Sequence, residues 1–165
     1  MSVKHLEISA RISGKTTRLV AWAKQQAESG MKVTIVLCAG QGSRAREFKA
    51  QHRIASRNIS VINQSQIPQE DQLNNGVWCF DEFDWYKKPC PVISNGYYCT
   101  TAQSLRDMAA DPQGDPLLEL IKLNRGYQSV PLLAVPYLNV ADIKEGMSPE
   151  LAATFNGQVF KVDSA

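Results

Sequence analysis

The sequence predicts an α/β fold with a mostly parallel central sheet flanked by helices. Strand-like runs alternate with helix-period segments along the chain, and that alternation is the pattern of a parallel sheet with helical crossovers. The clearest run, Lys32-Val-Thr-Ile-Val-Leu-Cys38, is β-branched and almost continuously apolar, as expected of a strand covered on both faces. The most distinctive polar clusters fall just after such runs, at the carboxyl ends where open α/β sheets bind ligands.

Residues 3–8 predict a first strand. From 14 to about 29 a helix is expected, because Leu19, Val20, Ala23 and Ala27 recur at helical spacing and Gly30 supplies a stop. Residues 32–38 form the second strand and 39–43 a turn, in which Ser43 can cap a helix from Arg44 to about Ala55. A third strand at 59–62 leads into a polar loop over 63–75. A fourth strand at 76–80 ends at Asp81-Glu82, and a fifth at 97–101 is followed by helices at about 102–110 and 115–123. Residues 130–135, a helical turn near 149–155 and residues 158–162 complete the chain. With 165 residues and no repeat or low-complexity linker, the chain reads as one domain over 1–165. Its core extends to about 135 and a helix–strand appendage occupies about 136–165.

Composition narrows the function classes. With 44% hydrophobic and 21% charged residues the chain is of ordinary globular type, neither disordered nor fibrous. No apolar run approaches the ~20 residues needed to span a membrane. The start, MSVKHLEIS, lacks the features of a signal peptide, so a cytoplasmic protein is expected. Cys38, Cys79, Cys90 and Cys99 form no CxxC pair and no zinc-like spacing with His5 or His52. Cys38, Cys79 and Cys99 are expected to be buried filler in a reducing compartment. A net charge of +2 does not by itself imply nucleic acid. Its distribution is more telling: between Arg44 and Arg57 there are five Lys or Arg and a single acid, Glu47, whereas acids gather at Glu70-Asp71 and Asp81-Glu82-Asp84.

Four motifs carry chemistry. The first is Ser9-Ala10-Arg11-Ile12-Ser13-Gly14-Lys15-Thr16, continued by Thr17. It lies between a strand and a helix and ends in Gly-Lys-Thr, the context of a P-loop of form GxxxxGK[ST], with Ser9 where the first glycine is usual. Backbone N–H groups of such a loop curl around phosphate oxygens at a helix N-terminus, Lys15 adds positive charge toward the β- and γ-phosphates, and the Thr16 hydroxyl can ligate magnesium. The plain alternative is a helix N-terminus with a solvated lysine. The second motif is Val77-Trp-Cys-Phe-Asp81-Glu82, an apolar strand running into two carboxylates. Asp81 would hold a magnesium-bound water and Glu82 would polarise the attacking water; otherwise the pair is an acidic turn. The third is Thr100-Thr101 at the next strand end, where a hydroxyl can sense the γ-phosphate. The fourth is the helical stripe Arg46, Lys49, Arg53 and Arg57, which at spacings of three, four and four would share one face and track nucleic-acid phosphates, or simply be solvated.

These motifs together resemble the ATPase domain of the large terminase subunits of tailed bacteriophages, a P-loop NTPase of the RecA-like (ASCE) type akin to superfamily-2 helicases. The likeness rests on Ala10-Arg-Ile-Ser-Gly-Lys-Thr-Thr17, the basic helix after the second strand, Asp81-Glu82, Thr100-Thr101, and Met147-Ser-Pro-Glu-Leu-Ala-Ala-Thr-Phe-Asn-Gly-Gln-Val-Phe160 near the end. The resemblance implies ATP and Mg2+ as ligands, magnesium-dependent ATP hydrolysis coupled to packaging or translocation of double-stranded DNA, and a charge-stabilising role for Arg11. Eight residues precede Ser9, so the upstream adenine-recognition segment of terminases is not expected, and neither a nuclease domain nor a second motor domain is expected after residue 165. A homo-oligomer or partner subunit would then complete the site, with Arg106 or Arg125 as candidate trans-acting arginines. Two other functions remain open: a nucleotide-binding regulatory protein with little turnover, and a small-molecule or nucleotide kinase with a lid over 112–127.

Overall fold

The computed structural model describes residues 3–9, 11–38, 44–69, 72–103 and 111–123. Within them the elements run β1 (His5–Ile8), α1 (Lys15–Glu28), β2 (Val33–Leu37), α2 (Arg44–Gln51), β3 (Ile59–Asn63), β4 (Val77–Asp81), β5 (Gly96–Thr100) and α3 (Pro116–Leu123), with short 3-10 turns at Gln64–Gln66 and Phe83–Trp85. The five strands form one sheet in the order β1-β5-β4-β2-β3, and every pairing is parallel. The fold is therefore α/β with an all-parallel sheet. The expected Ser43 cap, the helix at 102–110 and everything expected after residue 123, including the 136–165 appendage, lie outside the described residues.

Both faces of the sheet are covered, which explains the continuous apolar runs. Alternate residues of each strand enter opposite cores. On one face Leu19, Val20, Ala23 and Ala27 of α1 and Phe48 of α2 pack on Val33, Ile35, Ile59, Val77, Cys79, Tyr97 and Cys99. On the other, Leu117 and Leu120 of α3 join Leu6, Val36, Leu73, Trp78, Phe80, Phe83 and Tyr98. The Phe80 and Tyr98 rings stack at 4.8 Å, and Phe83 meets Tyr98 edge-on at 5.6 Å. Leu73, within the stretch expected to be a polar loop, is buried in this second core.

The helix ends follow from local chemistry. After α1, Gly30 turns left-handed (φ 89°), while the Gly30 and Met31 N–H groups close onto the Ala27 and Gln26 carbonyls, a Schellman ending. At the start of α3 the Asp115 carboxylate accepts the Leu117 N–H at 3.0 Å, a side-chain N-cap. The basic helix is shorter than expected. Arg53 takes the left-handed position (φ 50°), the Arg53 N–H bonds Ala50 O at 3.1 Å, and the Ile54 N–H bonds Lys49 O at 2.8 Å. That is again a Schellman ending, sealed by Phe48 and Ile54 in the first core. Because arginine stands where glycine is usual, the sequence carried no stop signal.

Candidate site at the carboxyl edge of the sheet

The site residues meet because they continue the strand rows that face α1. On β4, Asp81 follows Val77 and Cys79; on β5 the row Tyr97, Cys99 leads to Thr101; on β1 the row is His5, Glu7, Ser9. The N-terminus of α1 sits over these tips. Thr16 Oγ1 donates to Asp81 Oδ1 at 3.0 Å. Lys15 Nζ donates to Thr101 Oγ1 at 2.6 Å and pairs with Glu82 Oε1 at 2.8 Å. Thr101 in turn gives its backbone N–H to Glu82 Oε2 at 2.7 Å, and its hydroxyl lies 3.3 Å from Glu82 Oε1. Lysine, glutamate and threonine from three separate segments thus close a polar triangle, 86 residues apart at its widest.

The loop leading to α1 has a specific backbone form. It turns left-handed at Ile12 (φ 63°) and again at Gly14 (φ 82°). Isoleucine is β-branched and unfavourable there, yet its side chain is 90% exposed and gains no burial in return. Left-handed residues alternating with right-handed ones can line up successive N–H groups as an anion-binding nest, and here two left-handed positions adjoin a helix N-terminus that also favours negative charge. Glu82 is a third non-glycine residue at positive φ (52°). Strain of this kind persists where the surroundings over-determine it, and it clusters at functional sites.

Loop, acid tips and α2 enclose a cleft of about 850 Å³, bordered by Arg11, Lys15, Thr16, Asp81 and Glu82 on one side and by Arg44, Glu47, Gln51 and His52 on the other. Burial pushes the Asp81 carboxyl above its usual range, opposed by hydrogen bonds from Cys99 and Thr16. The Cys99 thiol, raised by its own burial and by Asp81, remains a donor and lies 3.2 Å from Asp81 Oδ1. Cys99 is therefore more than filler, and Cys38, half-buried rather than buried, donates to the Trp85 carbonyl at 3.1 Å. All four cysteines are free thiols.

The expected site residues fall into three groups. Lys15, Thr16, Asp81, Glu82 and Thr101 come together, with Gly14 and Thr17 on the cleft wall. Arg11 borders the same cleft with its guanidinium 5.0 Å from the Trp85 ring centre, and the Trp85 indole N–H bonds Thr101 O at 2.7 Å. Ser9 and Ser13 turn elsewhere, and Thr100 meets Glu82, its hydroxyl donating to Glu82 Oε2 at 3.5 Å. The Thr100 hydroxyl accepts the Asp84 N–H at 3.3 Å, while Ser9 and Ser13 bond each other behind the loop at 2.7 Å. Ala10 and the candidates Arg106 and Arg125 lie outside the described residues. The stripe of four basic residues is corrected: α2 ends at Gln51, so only Arg46 and Lys49 are helical, with Arg53 and Arg57 in the turns beyond it. The face of α2 that meets the cleft is another one, Arg44, Glu47, Phe48 and Gln51, at helical spacing.

Sequence reasoning missed Glu7 and Arg18. Glu7 is fully buried in β1, its two carboxylate oxygens held by Arg18 Nη2 and, at 3.1 Å, by Arg18 Nε. The available signal was a lone acid inside an apolar strand, which demands a partner. Among the described residues no three His, Cys, Asp or Glu side chains cluster to hold a metal, and no helix is long and apolar enough to cross a membrane. Comparison with protein-family models, curated proteins and solved structures finds no match to this chain.

Proposed function

We propose that this chain is a P-loop nucleoside triphosphatase of RecA-like type, binding the phosphates of ATP on the 9–16 loop and hydrolysing the terminal one. The convergence of Lys15, Thr16, Asp81, Glu82 and Thr101 at one end of the sheet is the observation that carries the reading. An acidic turn and a solvated lysine give no reason for such an assembly. The strand order supports it too, since β5 with its threonines lies between the strand entering the loop and the strand ending in the acids.

The residues present fit magnesium. Thr16 Oγ1 and the Asp81 carboxylate offer adjacent oxygen ligands, and this ion typically takes its remaining ligands from phosphate and water. When bound it would neutralise charge on the phosphate oxygens. The loop and Lys15 bind and orient the phosphates. Thr101 fixes the Glu82 carboxylate through its N–H, leaving the carboxylate to accept a proton from the attacking water. The γ-phosphorus–oxygen bond to the β-phosphate breaks as the new P–O bond to water forms, giving ADP and phosphate. Arg11, on the cleft wall, is placed to face phosphate charge.

The DNA partner, the packaging or translocation role and the oligomer belong to the same proposal through the terminase resemblance, with the exposed Arg46, Arg53 and Arg57 as contacts. One observation favours a second reading, a nucleotide-binding regulator with little turnover: both Glu82 oxygens are already engaged, by Lys15 and by Thr101. Magnesium-dependent phosphate release by wild type, Lys15→Ala and Glu82→Gln, each with and without double-stranded DNA, separates the two. Turnover abolished in both variants supports hydrolysis. ATP bound through Lys15 without turnover selects the regulator, and no Lys15-dependent ATP binding refutes both.

A further inference from the structure

We propose that Glu7, Arg18 and Ser9 are positioning residues, a brace anchored on the buried Glu7 carboxylate behind the phosphate loop that aims its N–H groups into the cleft. The proposal rests on the nucleotide-site reading above and says which side chains give that site its shape.

Glu7 is fully excluded from solvent in the middle of β1. A buried carboxylate is tolerated only when paired and hydrogen-bonded, and a well-packed apolar side chain in its place is often at least as stabilising. Stability alone therefore gives no reason for this pair. What the pair holds does. The Arg18 guanidinium, while forked onto Glu7 through Nε and Nη2, donates from Nη1 to the Ser13 carbonyl at 2.9 Å. Ser9 Oγ donates to Glu7 Oε1 at 2.9 Å and lies 2.7 Å from Ser13 Oγ. Both lines from Glu7 thus end on Ser13, the residue between the two left-handed positions of the loop.

Peptide geometry converts that anchorage into direction. The peptide units are trans, so the C=O and the following N–H point opposite ways. Fixing the Ser13 carbonyl on Arg18 turns the Gly14 N–H away from Arg18, and Gly14, unlike Ser13, lines the cleft. The same anchorage holds Ile12 at φ 63°, a conformation its own exposed side chain does nothing to secure. Gly14 itself is closely approached by the brace, since a Cβ there would sit 3.2 Å from Arg18 Nη1. Ser9, at the place where phosphate loops usually have glycine, is on this view a strut rather than a lapse.

The test is equilibrium ATP binding with magnesium, and KM and kcat where turnover is measurable, on the full chain. The variants are Ser9→Gly, Arg18→Lys, the double Glu7→Gln/Arg18→Met and, as reference, Lys15→Ala, with melting temperatures for all. The double variant removes the brace without stranding a buried charge. It is expected to weaken ATP binding about tenfold, the size of losing one charge-assisted hydrogen bond, with a smaller fall in kcat than in kcat/KM. Arg18→Lys should not restore binding, because one ammonium cannot fork onto Glu7 and reach Ser13 together. Ser9→Gly, although it installs the usual glycine, should weaken binding roughly threefold. Wild-type affinity in a folded double variant, with Lys15→Ala still defective, overturns the brace and leaves the nucleotide site standing. Should the double variant fail to fold, Ser9→Gly decides: weaker binding supports the brace, equal or tighter binding overturns it. Absence of ATP binding by the wild type overturns both proposals.

Discussion

The two halves of the cleft are held in different ways. The loop half, residues 9–16, is supported from behind: Glu7 and Arg18 sit outside the cleft and act on its backbone. The acidic half is supported from within, because Glu82, Lys15 and Thr101 bond one another across the space a substrate would enter. A backbone cradle braced from the rear can stay formed whatever lies in it. On the proposed function, a side-chain triangle spanning the cleft would have to rearrange on phosphate binding, with Lys15 exchanging its carboxylate partner for a phosphate oxygen. Damage to the loop backbone should therefore fall on binding and damage to Glu82 or Thr101 on turnover, while Lys15, which belongs to both halves, should affect each.

The largest expected effect probes that division directly. Glu82→Gln should lower turnover by about 10² to 10⁴, the usual worth of a positioned general base, while binding ATP as tightly as wild type or more so, because Lys15 loses a competing anion. A parallel loss of binding in a titration with labelled ATP would remove the distinction between the halves. Next comes Lys15→Ala, which should weaken ATP binding on the order of tenfold to a hundredfold, the range for charge-assisted hydrogen bonds. Thr101→Val, which keeps the backbone N–H on Glu82 but removes the hydroxyl from Lys15 and Glu82 Oε1, should cut turnover about tenfold or less, with little change in KM. If KM moves instead, Thr101 belongs with the binding half.

Smaller effects lie outside the cleft. Reversing charge at Arg46 and Lys49 on α2, or at Arg53 and Arg57 beyond it, should each flatten the logarithmic salt dependence of double-stranded DNA binding by about two. Equal affinities for all three proteins across a salt series would take Arg46, Lys49, Arg53 and Arg57 out of any DNA contact. The smallest prediction concerns His5, stacked on Tyr97 at 4.3 Å. Burial, and secondarily Arg18, hold its imidazole below the ordinary 6.5 against the opposing pull of Glu7. The unfolded chain then binds the proton first as pH falls, so stability from neutral His5 is full above pH ~6.5 and is lost as pH drops toward the folded value. His5→Phe should lose less melting temperature than wild type between about pH 7.5 and pH 5.

Much of the fold was legible because burial on both faces writes itself into composition. The continuous apolar runs at 33–37 and 77–80 and the α1 periodicity marked strands and helix within a residue or two. The Gly30 stop was local enough to show. The end of α2 was not, because it depends on Phe48 and Ile54 meeting in the core and forcing Arg53 into a glycine-like conformation. Nor was Leu73, whose burial is set by distant residues around it.

The sequence by itself determined the element order, the α/β class with a mostly parallel sheet and the placement of Gly14-Lys15-Thr16 and Asp81-Glu82 at strand ends, since these follow from periodicity and short-range turn chemistry. Tertiary structure decided which strand rows face α1, hence that Thr101 rather than Thr100 meets Lys15, and that Cys99 touches Asp81. It also decided that Glu7 finds Arg18. Those contacts join residues 11 to 86 apart in the chain, and no local pattern encodes them: they exist only once the parallel register brings the strand tips beneath one helix end.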